Sequence, residues 1–502
     1  FKLNQDLSDK IKISTKIAAT YTELASSKGP DENGGANNSM VRQVILAAPI
    51  LNFTDNSELD DPDEELDGPR AWTSDYDDDA TEIRLLGSLN LDYQISDVFT
   101  YRIRFGADYR KKDRSFWYGP ALRKGNDPNG LAGVTSLSRF RYNLDNTLMF
   151  KKRFNKNHRI NGTVGALLDK RSIETSRYSA SDFADKSLRA EGISFGGAFT
   201  PLVIGSEEAT IASFIGRLNY TLFNKYIFTG TFRADGSSNF PSGNQWGYFP
   251  AASFAWKVKE EGFLKNSETV SDLKIRLGYG EVGNQNISPY RYLNIFDKTE
   301  ALLSDATGGN LIPVVPQFLS NPDLVWETSK QYNAGIDFGL FNNRLSGTVD
   351  AYQKSSAELL LNTPAPASSG FDILLANQGD IENKGLEFSL RGDVINNENV
   401  NWSLFGNISF NRNKVTKIGG VDPSDQFGNL GNIVGYLGTQ ISGGNFFKQP
   451  ANIFIEGREA GLFYGLVTNG IIRTDEQLTN TDSGDPLKYK GTDMRVGDVL
   501  FV

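Results

Sequence analysis

Few residues in this chain are equipped for chemistry. His158 is the single histidine, and there is no cysteine. Thiol catalysis, disulfide frameworks, cysteine zinc sites and multi-histidine metal sites are excluded together, as is any histidine-dependent triad that omits His158. His158 ends the short turn Asn155-Lys156-Asn157-His158, which the loop pattern puts on the side away from an external substrate. Gly278-Tyr279-Gly280-Glu281-Val282-Gly283 matches GxGxxG. A dinucleotide site also needs a following helix whose N-terminus faces the pyrophosphate. Asn284-Gln285-Asn286-Ile287-Ser288-Pro289 follows instead, which is turn chemistry, so these glycines read as strand and loop glycines.

Carboxylates are more plentiful. Residues 52–79 carry Asp60, Asp61, Asp63, Glu64, Glu65, Asp67, Asp75, Asp77, Asp78 and Asp79. Hard oxygen ligands suit calcium, but EF-hand spacing fails for want of the turn glycine and terminal glutamate. A solvated, self-repelling loop is the simpler reading. Arg217, Arg233, Asp235, Lys274, Arg276, Glu327, Asp337, Asp350, Glu387 and Arg391 fall on the polar parity of strand-like segments. A glycosidase needs two carboxylates flanking one bond, which spacing alone does not place. A polar interior lined by paired charges accounts for them without catalysis. Trp72, Tyr76, Phe116, Trp117, Tyr118, Phe195 and Phe199 lie in long connections, where stacking on a ligand and packing within a loop are both open.

The elements that must carry these residues are strands. In 271–282, Leu273, Ile275, Leu277 and Tyr279 alternate with Lys274, Arg276, Gly278 and Gly280. The same period of two runs through 82–94 and 402–411. Short links (94–98, 223–225, 341–343) alternate with long polar connections at roughly 23–82, 109–138, 170–210, 282–324 and 355–382. That asymmetry is the layout of an antiparallel transmembrane β-barrel, with tight turns on one side and long loops outside. About 14 strands precede residue 414, each about 10–14 residues, enough to cross a bilayer at a tilt. Tyr21, Tyr93, Phe150, Trp256 and Phe338 sit near strand ends, where an aromatic girdle would lie. A soluble β-sandwich or propeller also alternates, but its strands average only about 5–6 residues.

Composition agrees. Gly 50, aromatics at 12% and Tyr/Phe-rich strand patterning favour an all-β chain. Lys+Arg 52 against Asp+Glu 61 leaves a net charge of −9, which argues against a nucleic-acid partner. No apolar run approaches the length of a membrane-spanning helix. The chain starts at Phe1 and stops within a strand-like segment at Val502, so it reads as a piece of a longer protein.

Ordered motifs then carry a family resemblance. Ala212-Ser213-Phe214-Ile215-Gly216-Arg217-Leu218-Asn219-Tyr220 and Lys225-Tyr226 come first. Arg233-Ala234-Asp235-Gly236-Ser237-Ser238-Asn239-Phe240, Trp246-Gly247-Tyr248-Phe249-Pro250 and Gly283-Asn284-Gln285-Asn286-Ile287 follow. Asn321-Pro322-Asp323-Leu324-Val325-Trp326-Glu327-Thr328 and Asn383-Lys384-Gly385-Leu386-Glu387-Phe388 complete the set. Together they resemble the SusC/RagA family of TonB-dependent outer-membrane transporters, and Ile455-Glu456-Gly457-Arg458-Glu459-Ala460-Gly461-Leu462-Phe463-Tyr464-Gly465 resembles a further family segment.

The resemblance implies a barrel of about 22 strands in the complete protein. All of 1–502 would be incomplete barrel domain, roughly 14–15 strands of it, with the N-terminal plug and last strands outside the chain. It implies import of oligosaccharides or peptides, a SusD-like surface lipoprotein, the TonB-ExbB-ExbD complex, and contact with membrane lipid and lipopolysaccharide. The location implied is the bacterial outer membrane. No enzyme activity, cofactor or metal site carries over. Two open sheet edges in lipid would leave backbone groups unpaired, so a chain of this extent should not insert or transport alone. Arg233, Asp235, Trp246, Asn286 and Glu327 are the substrate-path candidates. A non-transporting receptor or adhesin, and an outer-membrane hydrolase, are the rival readings.

One stretch, 226–257, makes the expectation concrete. Phe228, Gly230, Phe232, Trp246, Tyr248, Ala252, Phe254 and Trp256 should face lipid. Thr229, Thr231, Arg233, Gly247, Ala251, Ser253 and Lys257 should face inward. Residues 235–245 should form a tight external turn, and Pro250 should mark a bulge.

Overall fold

The computed structural model describes residues 1–26, 69–200, 202–298, 303–304, 310–311, 314–365, 367–371, 373–398, 400–418, 435–437, 440–441, 449–450, 452–463, 468–478, 488–489, 492–493, 495–496 and 499–501. They fall into two units, Phe1–Asn413 and Lys414–Val502.

The first unit is a wall of strands. They are β1 (Lys2–Ser8), β2 (Ile11–Ala25), β3 (Tyr76–Gln94), β4 (Phe99–Tyr118), β5 (Leu131–Arg153), β6 (His158–Phe183), β7 (Gly196–Phe199), β8 (Val203–Leu222), β9 (Tyr226–Ser237), β10 (Trp246–Lys257) and β11 (Val270–Asn284). Four short pieces follow: β12 (Phe296–Lys298), β13 (Leu303–Ser304), β14 (Asn310–Leu311) and β15 (Val314–Pro316). Then come β16 (Glu327–Leu340), β17 (Leu345–Ala357), β18 (Leu360–Pro364), β19 (Ile373–Asn377), β20 (Asp380–Asn396) and β21 (Asn401–Lys417). A 15-stranded sheet runs β1-β2-β3-β4-β5-β6-β8-β9-β10-β11-β16-β17-β20-β21, with β7 paired to β6. Each hairpin is antiparallel and joins neighbours in the chain, the up-and-down order of a barrel wall.

Register keeps one chemistry on each face. Across β9 and β10, Phe232 lies opposite Pro250, Gly230 opposite Ala252, Phe228 opposite Phe254 and Tyr226 opposite Trp256. The outward set continues onto β11 and β16 through Phe254↔Leu277 and Leu277↔Ala334. On the other face Asp235 lies opposite Gly247 and Lys274 opposite Asp337. A one-residue slip would exchange the two faces along a whole strand, so burial of one face fixes the register. The outward apolar side chains stay open: Leu218 is 53% exposed, Phe232 52% and Tyr248 60%. A patch of this breadth is a liability in water and is stabilised in lipid.

Three expectations change. The strands are longer than the apolar pattern shows: β4 spans 20 residues, β5 23 and β6 26. Much of the expected loops 109–138 and 170–210 is therefore hairpin. Cross-strand ion pairs such as Arg110–Glu82 at 2.5 Å and Lys170–Glu208 at 3.1 Å line these segments. Their two polar faces give no hydrophobic period to read. Likewise 355–382 holds the β18–β19 hairpin. The bulge at Pro250 is absent, since its pairing with Phe232 lies in unbroken register. Pairing of β10 with β11 starts one residue later, at Ala251↔Gly280, so the missing N–H falls at a ladder end.

Short turns close the hairpins through left-handed residues. Asn224 has φ 57° and Asn342 φ 58°, and asparagine tolerates that region better than most residues.

The second unit is built of small ladders. Gly435–Leu437 pairs with Asn452–Ile455, which pairs with Leu462–Phe463. Val415 N–H donates to the Arg458 carbonyl, and Gly457 N–H donates to the Val415 carbonyl.

Candidate functional site

The candidates gather where β9, β10, β11 and β16 reach the long connections. Arg233 and Asp235 share the inner face of β9, two residues apart. Arg233 Nε donates to both Asp235 oxygens at 2.8 and 2.7 Å, and its Nη2 donates to Ser213 Oγ at 2.9 Å. Asp235 is 8% exposed. The pair is thus committed to a brace between β8 and β9, with the guanidinium edge partly open.

Beyond it the chain does not simply reverse outside, as expected for 235–245. β9 continues to Ser237, and Phe240 folds back into a buried cluster with Leu324 and Leu375. Ile287, Tyr292, Trp326 and Leu360 pack against that cluster. Trp326 meets Phe240 at 5.1 Å between ring centroids and donates from Nε1 to the Gln245 carbonyl at 2.9 Å. Asn239 Nδ2 donates to the Ile287 carbonyl at 3.2 Å. Three connections, β9–β10, β11–β16 and β17–β20, are therefore pinned to one apolar plug. Its only strong sequence signal is the density of aromatics among polar turn residues.

The remaining candidates divide around this plug. Asn286 is exposed, its N–H held by Asn284 Oδ1 at 3.0 Å. Glu327 accepts from the Leu360 N–H at 3.2 Å, tying β16 to the β18–β19 hairpin. Trp246 stands on the opposite, outward face and stacks on Phe214 at 6.0 Å with 19° between planes. Arg291, unmarked in the sequence, lies over the Phe318 ring at 4.2 Å and makes no ion pair with a described residue. Burial lowers its guanidinium pKa.

Lower on the inner wall, Asp337 accepts from Lys274 Nζ at 2.9 Å and from Arg276 Nη2 at 2.7 Å. Arg276 reaches on to Asp350, 2.9 Å away. It passes over Gly335, where a Cβ would stand 2.8 Å from Nη2. These carboxylates are held by cations, as expected of a paired-charge lining, and not posed around a reacting bond.

The extended hairpins end in two aromatic cores. Trp72, Tyr76, Tyr118 and Leu122 form one; Trp117, Phe183, Ala132, Ala180 and Ile193 form the other. Of the loop aromatics, Trp72, Tyr76, Trp117 and Tyr118 are thus committed to packing, whereas Phe195 and Phe199 stay exposed. Part of the acidic segment is engaged too. Asp78 is buried and bound by Arg114, Asp77 accepts from Arg189 at 2.7 Å, and Asp75 accepts from the Ala121 N–H at 2.9 Å. Burial, with Asp78 adjacent, pushes the Tyr76 phenol up. Residues 52–68 lie outside the described residues. Among the described residues no group of three or more His, Asp or Glu is placed to hold a metal.

At the short-turn end, His158 Nδ1 lies 2.7 Å from the Tyr220 hydroxyl, and the rings stack. Gly278 to Gly283 all lie within β11, and no helix follows them, so the dinucleotide reading fails.

The chain matches the family described as TonB dependent receptor-like, beta-barrel, over residues 21–492. TonB-dependent receptor P26 of Formosa agariphila is 28% identical across 97% of this chain and 47% of its own length. TonB-dependent receptor SusC of Bacteroides thetaiotaomicron is 38% identical over 303 residues, 58% of this chain and 29% of that protein. The chain spans about half, or less, of the length of these relatives. A solved RagAB peptide transporter superposes with a TM-score of 0.74 at 20% identity, over 94% of this chain and 50% of that one, and so shares the fold.

Proposed function

The chain belongs to the TonB-dependent receptor β-barrel family, in its SusC/RagA branch, and from that premise we propose that it forms most of the wall of an outer-membrane nutrient importer. The complete protein closes this sheet into a barrel of about 22 strands around a plug. It takes up oligosaccharides or peptides. A SusD-like lipoprotein captures the ligand at the mouth, and the TonB-ExbB-ExbD complex supplies energy from the inner membrane. The protein is a transporter, not an enzyme.

The observation that carries this reading is the two-faced wall. The outward face holds Phe228, Phe232, Tyr248 and Leu218 open, as lipid requires. The inward face ties its charges into pairs, along one strand in Arg233–Asp235 and across two in Arg276–Asp337. A wall with satisfied inner charges binds a neutral or mixed-charge cargo through many weak polar contacts, and leaves selection to the loops. The loop plug around Phe240 would hold the rim in shape; Asn286 and Glu327 adjoin its members Ile287 and Trp326 in the chain, and Arg233 and Asp235 precede it on β9. In this reading they set the geometry of the path, and Arg291 and Phe318 add a cation and an aromatic face next to it.

Deleting the gene for the full-length protein and measuring uptake of labelled oligosaccharides and peptides tests the proposal. Loss of uptake of one class, matched by adding a protonophore to wild-type cells, is expected. Unchanged uptake of every substrate, with binding at the cell surface retained, would favour the receptor or adhesin reading.

A further inference from the structure

The lipid face is not uniform. An apolar groove of about 710 Å³ crosses it over six strands, from β4 to β10. Its floor is made where side chains are missing: Gly162 of β6, Gly216 of β8 and Gly230 of β9. The register makes these neighbours, since Gly162 pairs with Leu218, which pairs with Gly230, and Gly216 pairs with Phe232. Phe150 and Phe232 are rims of the same groove. At Gly216 and Gly230 a Cβ would meet nothing within 4 Å, so the space beside them is open.

The groove also has a direction. Its low end is Phe99, the first residue of β4, and Phe150, three residues before the end of β5 at Arg153. Its high end is Pro250, seven residues from the Lys257 end of β10. It therefore rises from the short-turn edge into the apolar height of the wall.

At the low end sits a basic turn. Lys151, Lys152, Arg153, Lys156 and Arg159 fall within nine residues, and all are exposed. None forms an ion pair with an acid among the described residues. Lys152 continues the face of Leu148 and Phe150, and its Nζ lies 5.2 Å from the centre of the Phe154 ring. Phosphate oxygens are the natural complement of such a cluster, and an apolar chain is the complement of the groove above it. A polybasic segment at a membrane surface gains about fivefold in affinity for anionic lipid per cation.

We propose that this groove and turn form a binding site for one anionic glycerophospholipid of the leaflet on the short-turn side. The headgroup phosphate is held by Lys152, Lys156 and Arg153, and one acyl chain lies over Gly162, Gly216 and Gly230. The site anchors the wall in register with that leaflet. The proposal rests on the outward face meeting lipid, as in the proposed function.

Native mass spectrometry of the full-length protein, extracted from outer membranes in mild detergent and titrated with phosphatidylglycerol or phosphatidylethanolamine, tests it. Wild type should retain one phosphatidylglycerol and discriminate against phosphatidylethanolamine. The double variant Lys152→Gln/Lys156→Gln should lose about 25-fold in phosphatidylglycerol affinity, fivefold for each cation. Gly216→Leu/Gly230→Leu fills open space and should abolish retention of both lipids while the basic turn is intact. Heat-modified migration in gels checks folding of each variant, and the charge variant stands as a test if the glycine variant fails to fold. Equal retention of the two lipids, unchanged affinity in the charge variant, or a groove variant that alters oligomeric state without altering lipid retention would overturn the site. Absence of the protein from the outer membrane would instead overturn the transporter reading.

Discussion

Glu261 shows what a single side chain does in this wall. It lies past the Lys257 end of β10 and accepts from Lys225 Nζ at 2.9 Å, the Tyr226 hydroxyl at 2.6 Å and Trp256 Nε1 at 3.1 Å. These donors, Lys225 foremost, lower its pKa from 4.5 to about 2. A carboxyl depressed on folding stabilises the fold fully above its unfolded value and loses that contribution as pH falls toward its folded value. Resistance to urea in detergent should therefore fall as pH drops from 5 to 2, and Glu261→Gln should flatten that slope. An unchanged slope would remove Glu261 from the account. Asp235 makes a second case. Asp235→Ala should cost about 1 kcal/mol locally, because Arg233 retains Ser213 and water. If the two act as a brace, Arg233→Ala/Asp235→Ala should impair uptake no more than either single change; additive losses would give them separate contacts with cargo. Arg233 and Asp235 were legible as inward residues from parity alone. Their bond to each other was not, because period two fixes a face and leaves rotamers open. Glu261 carried no pattern at all, since its partners come from the turn before β9 and from the ends of β9 and β10.

Elements were legible in proportion to how apolar one of their faces is. β9, β10, β11 and β16 alternate cleanly, and their faces lie where alternation puts them. The upper parts of β3 to β6 escaped, since polar residues occupy both faces and ion pairs accompany the ladder there. The plug around Phe240 escaped for another reason: its members lie in three connections far apart in sequence, and only folding collects them. Phe240 is fully buried, so Phe240→Ala should cost about 3–5 kcal/mol of local stability. Limited proteolysis of the full-length protein should then cut within 238–245, where wild type resists. Trp117→Ala should open the tip of the β4–β5 hairpin in the same assay and leave 238–245 protected, because the two cores share no residue. Cleavage of both regions in either variant would mean that the rim is one cooperative piece.

At the scale of the molecule, the family was readable from ordered motifs, and the fold from the contrast of short and long connections. The cargo of the proposed importer was not, because the wall motifs report how strands pair and how charges are satisfied, and loop side chains follow no period. The wall itself has a direct test. The chain contains no cysteine, so a nitroxide can be placed at each position of β9, Tyr226–Ser237, in the full-length protein cleared of any cysteine elsewhere. Oxygen, which partitions into hydrocarbon, is then used as the relaxing agent in bilayers. A lipid-facing outer surface requires accessibility maxima at Phe228, Gly230 and Phe232 and minima at Thr229 and Thr231, a period of two in that phase. A flat profile, or the opposite phase, would contradict the assignment of the outward face to lipid.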